Sequence, residues 1–179
     1  MPYYLYGTRS EPRAVPNLDQ ATRQLRRYDL LGTIDPQSIL VAVRLLAAGG
    51  QLSQASESHF GRFGLSTGRY RLLADLEDSG GEKSPSQLAE SLGVSRATVT
   101  GLVNGLERDG YALRRPSDED GRAASVVLTA RGASMLREIA PDHFGRLNEM
   151  VSALTPEERT TFLDLLGRIV EGIPALTAH

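Results

Sequence analysis

Between Ser84 and Leu128 the chain carries two short helix-forming patterns separated by a glycine, then a polar turn between two short β-like runs. That order leaves few folds open. Leu88, Ala89, Leu92, Val94, Val99, Leu102, Val103 and Leu106 recur at spacings that pack two crossed helices together, with a small Ala89 at the approach and Gly93 suited to a turn of positive φ. Ser84-Pro85-Ser86-Gln87 is a helix start: a serine N-cap, proline in the first turn, and glutamine placed to return the capping bond. Ser95 caps the second helix, which should stop at Gly110. Tyr111 to Arg115 and Ala123 to Leu128 read as strands on either side of a turn at Pro116 to Gly121. Together these make a winged helix-turn-helix, with Arg96, Thr98, Thr100 and Asn104 facing outward from the second helix as donors and acceptors for base edges.

The flanking sequence is helical. Residues 1–15 lack a helical period, while Leu18, Ala21, Leu25, Tyr28 and Leu31 mark an extra helix from Asn17 to Leu31 with Arg23, Arg26 and Arg27 on its other side. Asp35-Pro36 starts a long helix running to about Phe60, which Gly49-Gly50 is expected to interrupt. Ser66 caps a helix that carries Tyr70, Leu73 and Leu76 inward. Thr129 opens another, which Pro141 should kink or break, and the capping box Thr155-Pro156-Glu157-Glu158 starts a last one bearing Phe162, Leu165, Leu166, Ile169 and Ile173 on one face. The expected class is mainly α (α+β). Its expected parts are an N-terminal arm and extra helix at 1–33, a dimerisation helix at 34–63, a DNA-binding lobe at 64–128 and C-terminal dimerisation helices at 129–179. Both ends carry more apolar surface than a small winged helix covers, which points to a homodimer, with a monomer whose helices pack on each other as the alternative.

Several function classes drop out. The chain has no cysteine, so disulfides, thiolate nucleophiles, thiol sensing and Cys-ligated metals are excluded. His59 and His143 have no ligand-spaced companions, so no metal or other cofactor is expected. No glycine-rich phosphate loop, HExxH pair or nucleophile elbow argues for an enzyme. The N-terminus lacks a secretory pattern and no apolar run spans a bilayer, which makes a cytoplasmic protein without a membrane partner the expectation. A net charge of −2 is unusual for a nucleic-acid binder and favours the alternative of a winged helix used as a protein-interaction module. Against it, Arg96, Arg108, Arg114, Arg115 and Arg122 cluster in the proposed DNA-facing unit, although acidic residues sit among them.

Residues Leu88 to Gly110, Arg114-Arg115-Pro116, Asp120-Gly121-Arg122 and Leu128-Thr129-Ala130-Arg131-Gly132 resemble the recognition helix, wing and following helix start of the MarR family of bacterial transcriptional regulators. The resemblance implies a homodimer that binds double-stranded DNA, most often as a repressor, with recognition helices in successive major grooves of a pseudo-palindromic operator. It implies base or phosphate contacts from Arg96, Thr98, Thr100 and Asn104, phosphate contacts from Ser86 and Ser95, and a minor-groove contact from Arg122 aimed by Asp120. Helix capping is an alternative role for Ser86 and Ser95. The family resemblance also implies a small aromatic or anionic ligand that releases the DNA, for which His59, Arg62, Phe63, Arg69 and Tyr70 are the candidates; packing or surface exposure is the competing role for each.

Overall fold

The computed structural model describes residues 16–116 and 124–178. Contacts divide the chain into two compact units, Met1–Arg62 and Phe63–His179.

The first unit is a helical pair. Helix α1 (Leu18–Arg27) buries Ala21 and Leu25 and packs on α2 (Pro36–Gly61). Asn17 caps α1 by accepting from the Gln20 amide, and Asp35 caps α2 by accepting from the amides of Gln37 and Ser38. Those bonds hold the Asp35 carboxyl below its ordinary pKa. Arg44 Nε donates to the Pro16 carbonyl and ties the start of α1 to the middle of α2.

Two expectations are corrected in this unit. The stripe through Tyr28 to Leu31 does not extend α1, because Asp29 takes a left-handed conformation (φ 57°) and the Leu30 amide returns to the Leu25 carbonyl, closing the helix end. Tyr28 and Leu31 are exposed. Gly49-Gly50 does not interrupt α2, which runs through both; among the described residues, neither glycine meets another atom within 4 Å of where a Cβ would stand.

The second unit holds α3 (Thr67–Asp78), β1 (Glu82–Lys83), α4 (Pro85–Leu92), α5 (Arg96–Arg108), β2 (Ala112–Pro116), β3 (Ala124–Leu128), α6 (Ala130–Met150) and α7 (Pro156–Gly172), with a short 3-10 turn at Ile173–Leu176. Its caps follow local chemistry. Ser66, Ser84, Ser95, Thr129 and Thr155 each accept from a backbone amide three residues on, and Gln87 and Glu158 complete capping boxes. Leu72, Leu73 and Leu76 of α3, Leu88 of α4, Val99, Val103 and Leu106 of α5, Val126 of β3 and Ile139 of α6 are fully buried together as one core. Leu72 rather than Tyr70 fills the inward position on α3; Tyr70 is half-buried.

The sheet has three antiparallel strands in the order β1-β3-β2, with Lys83 opposite Val126 and Arg114 opposite Val126 on the other side. Strand β1 was not expected from the sequence, since two residues carry no periodicity. An ion pair helps to fix it: Lys83 Nζ reaches both carboxylate oxygens of Asp75 on α3 at 2.8 and 2.9 Å, and Ser91 of α4 donates to the same carboxylate. Pro141 does not break α6, which continues through it. Proline removes one amide donor, and its exposed position leaves the orphaned carbonyl on the side where water can serve it.

Candidate nucleic-acid interface

Helices α4 and α5 cross through a turn that Gly93 closes in the left-handed region, φ 66°. With Val99, Val103 and Leu106 in the core, the opposite side of α5 is exposed. Arg96, Thr100, Asn104 and Arg108 form one exposed row four residues apart, and Ala97 and Gly101 form the next. Arg96, Thr100 and Asn104 stand on this face as expected from the sequence, and Ala97, Gly101 and Arg108 join them as members that were not expected there. The i, i+4 repeat from Arg96 was the signal.

The side chains of this face differ in how committed they already are. Thr100 Oγ1 donates back to the Arg96 carbonyl, 3.0 Å. Thr98 lies off the row: its hydroxyl sits 2.8 Å from Ser95 Oγ, which also accepts from the Thr98 amide, so both side chains serve the helix start. Ser86 is exposed in the first turn of α4. Asn104 Oδ1 accepts from Arg114 Nη2 at 2.8 Å, which leaves the Asn104 amide donors to meet acceptors such as guanine O6 or N7. Asp120 and Arg122 lie outside the described residues.

The arginine cluster is smaller than its sequence suggests. Arg114 is ion-paired to Glu107 of α5, and its backbone amide donates to the same carboxylate. Arg115 is paired to Glu82. A hydrogen bond from Ser125, and then the Arg115 charge, hold the Glu82 carboxyl below its ordinary range. These pairs brace the wing base against α5 and β1 and withdraw two positive charges from any phosphate. Among the described residues, the Arg96 and Arg108 side chains remain exposed without an ion-pair partner.

The ligand candidates are divided between the two units, His59 and Arg62 in the first and Phe63, Arg69 and Tyr70 in the second. In the first unit, Arg62 Nη2 donates to His59 Nδ1 at 2.7 Å, and His59 meets Phe60 edge-on. In the second, Phe63 is half-buried and Tyr70 stands edge-on to His143 of α6 with centroids 5.1 Å apart. Burial, then the charges of Asp78 and Glu77, raise the Tyr70 pKa. Arg69 points elsewhere: its guanidinium pairs with Asp109 at the end of α5 and lies where a side chain on Gly105 would be. That position makes it a brace for the recognition helix. Among the described residues no cluster of potential metal ligands occurs, and no helix is long and apolar enough to cross a membrane.

Burial lowers the His143 pKa below its ordinary value of 6.5, partly opposed by Asp142. Unfolded chains therefore take up a proton at a pH where the folded unit resists it, and the stability present above pH 6.5 is lost as pH falls. The melting temperature should drop more steeply between about pH 7 and 5 in the native protein than in His143→Gln. Parallel profiles would contradict this assignment.

Comparison with known proteins places this geometry. Residues 63–123 match the sequence model of the MarR family. The chain is 32% identical over 162 residues to the HTH-type transcriptional repressor YetL of Bacillus subtilis (strain 168), a match covering 90% of this chain and 95% of that protein. Its fold is similar to that of Sco3205, a MarR family transcriptional regulator from Streptomyces coelicolor solved in complex with DNA, with a TM-score of 0.72, 25% identity, and coverage of 78% of this chain and 89% of that one. The organohalide sensing RdhR-CbdbA1625 transcriptional regulator, in its 2,4-dichlorophenol bound form, has a similar fold at a TM-score of 0.69 and 19% identity, covering 83% of this chain and 88% of that one.

Proposed function

The chain belongs to the MarR family of transcriptional regulators, and from that premise we propose that it is a homodimeric repressor that binds a pseudo-palindromic operator and is released from it by a small aromatic or anionic molecule. The observation that carries the reading is the exposed row Arg96, Thr100, Asn104 and Arg108 on the second helix of a helix-turn-helix. Ser86 and Ser95, near helix N-termini, suit phosphate contacts, and Arg122 aimed by Asp120 suits the minor groove.

Dimerisation is supported by helices that have too little to pack on within one chain. Helix α7 has no buried residue among its 17 positions, and Phe162, Leu165 and Ile169 are exposed on one side. Val41, Val43, Leu46 and Leu52 of α2 are exposed as well. Residues 34–63 and 129–179 are accordingly assigned to dimerisation and 64–128 to DNA binding. Two copies supply two recognition helices, and a two-fold axis between them calls for a two-fold operator.

For release, the ligand must prefer a dimer whose recognition helices are wrongly spaced, since equal affinity for both states shifts nothing. His59, Arg62, Phe63 and Tyr70 stay candidates for that contact, and the dichlorophenol-bound relative supports an aromatic ligand. One observation favours a second reading, a protein-interaction module: Arg114 and Arg115 are spent on carboxylates.

A gel-shift titration on the intergenic DNA upstream of the gene separates the two. The regulator reading predicts a salt-sensitive, sequence-preferring complex that Arg122→Ala weakens about tenfold. Absence of such a complex at every protein concentration would sink it.

A further inference from the structure

Two glycines four residues apart on α5 have opposite surroundings. A Cβ on Gly105 would stand 2.1 Å from Arg69 Nη2, so the missing side chain makes room for a guanidinium of the same chain. A Cβ on Gly101 would meet nothing within 4 Å among the described residues. Backbone conformation does not require that glycine either, because it is helical and is not among the glycines of positive φ. Glycine is the poorest helix former after proline, so Gly101 weakens α5 with no return among the described residues.

Its neighbours indicate where the return lies. Gly49, Gly50, Gly145 and Gly167 are equally open, but they stand on helices that expose several large apolar side chains, a setting for another helix. Gly101 stands beside Arg96, Thr100, Asn104 and Arg108, next to the equally bare Ala97. A helix with its side chains is about 10–12 Å across and the major groove is about 12 Å wide, so the side chains facing the groove floor set how deeply the helix seats.

We propose that Gly101 is a specificity-determining position: its bare backbone lets α5 approach the base edges closely enough for Arg96, Thr100 and the Asn104 amide to reach them. This rests on the DNA-binding reading above. An added side chain holds the helix off, and hydrogen bonds stretched beyond about 3.2 Å stop discriminating between bases. Affinity for operator then falls toward that for unrelated DNA.

The test measures fluorescence anisotropy on an operator duplex and on a scrambled duplex, together with thermal melting, for the native protein, Gly101→Ala and Gly101→Leu. Gly101→Ala is expected to raise the melting temperature by about 2–4 °C while weakening operator binding about tenfold, roughly the loss of one base contact. Gly101→Leu is expected to bind both duplexes equally. Operator affinity unchanged in Gly101→Ala, or a lowered melting temperature, overturns the proposal. No preference for operator by the native protein overturns the DNA-binding reading itself and the proposal with it.

Discussion

Gly132→Ala is expected to destabilise the second unit by about 2 kcal/mol, the balance of roughly 3 kcal/mol of overpacking against about 1 kcal/mol of improved helix propensity. A Cβ there would stand 2.2 Å from the Tyr111 carbonyl oxygen and 2.7 Å from Leu128 Cδ1. The carbonyl cannot retreat cheaply. It accepts from the Thr129 amide, and the Thr129 hydroxyl that caps α6 lies 3.1 Å from it and 2.8 Å from the Gly110 carbonyl. The end of α5, the wing base and the start of α6 therefore meet at one point with no slack, and Arg131 adds a guanidinium 5.2 Å above the Tyr111 ring. Thermal melting should show a fall of about 4–8 °C. Gly101→Ala, whose added Cβ would meet nothing within 4 Å among the described residues, should by contrast be stabilising. Equal melting of Gly132→Ala and the native protein would mean that α6 can shift freely, contrary to this packing.

A larger effect is expected at the proposed dimer face. Leu165 is 46% exposed in the single chain, where Leu165→Glu would change stability by no more than about 0.5 kcal/mol. If α7 is covered by a second copy, the same change buries a carboxylate in apolar surroundings twice per dimer, once in each subunit, at a cost of roughly several kcal/mol each. Sedimentation should then show monomers where the native protein is dimeric, and operator affinity should fall more than about 100-fold as paired recognition helices are lost. Unchanged sedimentation would remove α7 from the interface.

Features specified within a few residues were legible in the sequence. Ser84 with Gln87 and Thr155 with Glu158 are capping boxes whose partners are three residues apart, and Gly93 ends its helix as the turn requires. Features set by distant partners were not. Strand β1 exists because Val126 and Val127 offer an edge and Asp75 holds Lys83. Asn104 is half-committed to Arg114, ten residues away across the wing base, and Arg69 is drawn to Asp109, forty residues on. Neither could be found by periodicity. The end of α1 was not legible for a local reason: Asp29 adopts a left-handed conformation that glycine or asparagine would have signalled more clearly.

The candidate site shows the same division. Burial of Val99, Val103 and Leu106 dictates which side of α5 is exposed, so Arg96, Thr100 and Asn104 could be placed there from spacing alone. Electrostatics could not be read that way. Counting arginines in the lobe overstated its charge, because Glu107 and Glu82 neutralise Arg114 and Arg115. What remains exposed among the described residues is a row whose two guanidiniums have no ion-pair partner among them, beside two bare positions, a surface shaped for close approach more than for bulk attraction.

Hydroxyl-radical footprinting on the DNA upstream of the gene tests the central claim most directly. Two recognition helices related by a two-fold axis predict two symmetric protected patches with centres about one helical turn apart, or a whole multiple of it. A single unsymmetric patch, or no protection at concentrations that saturate unrelated DNA, would contradict the account.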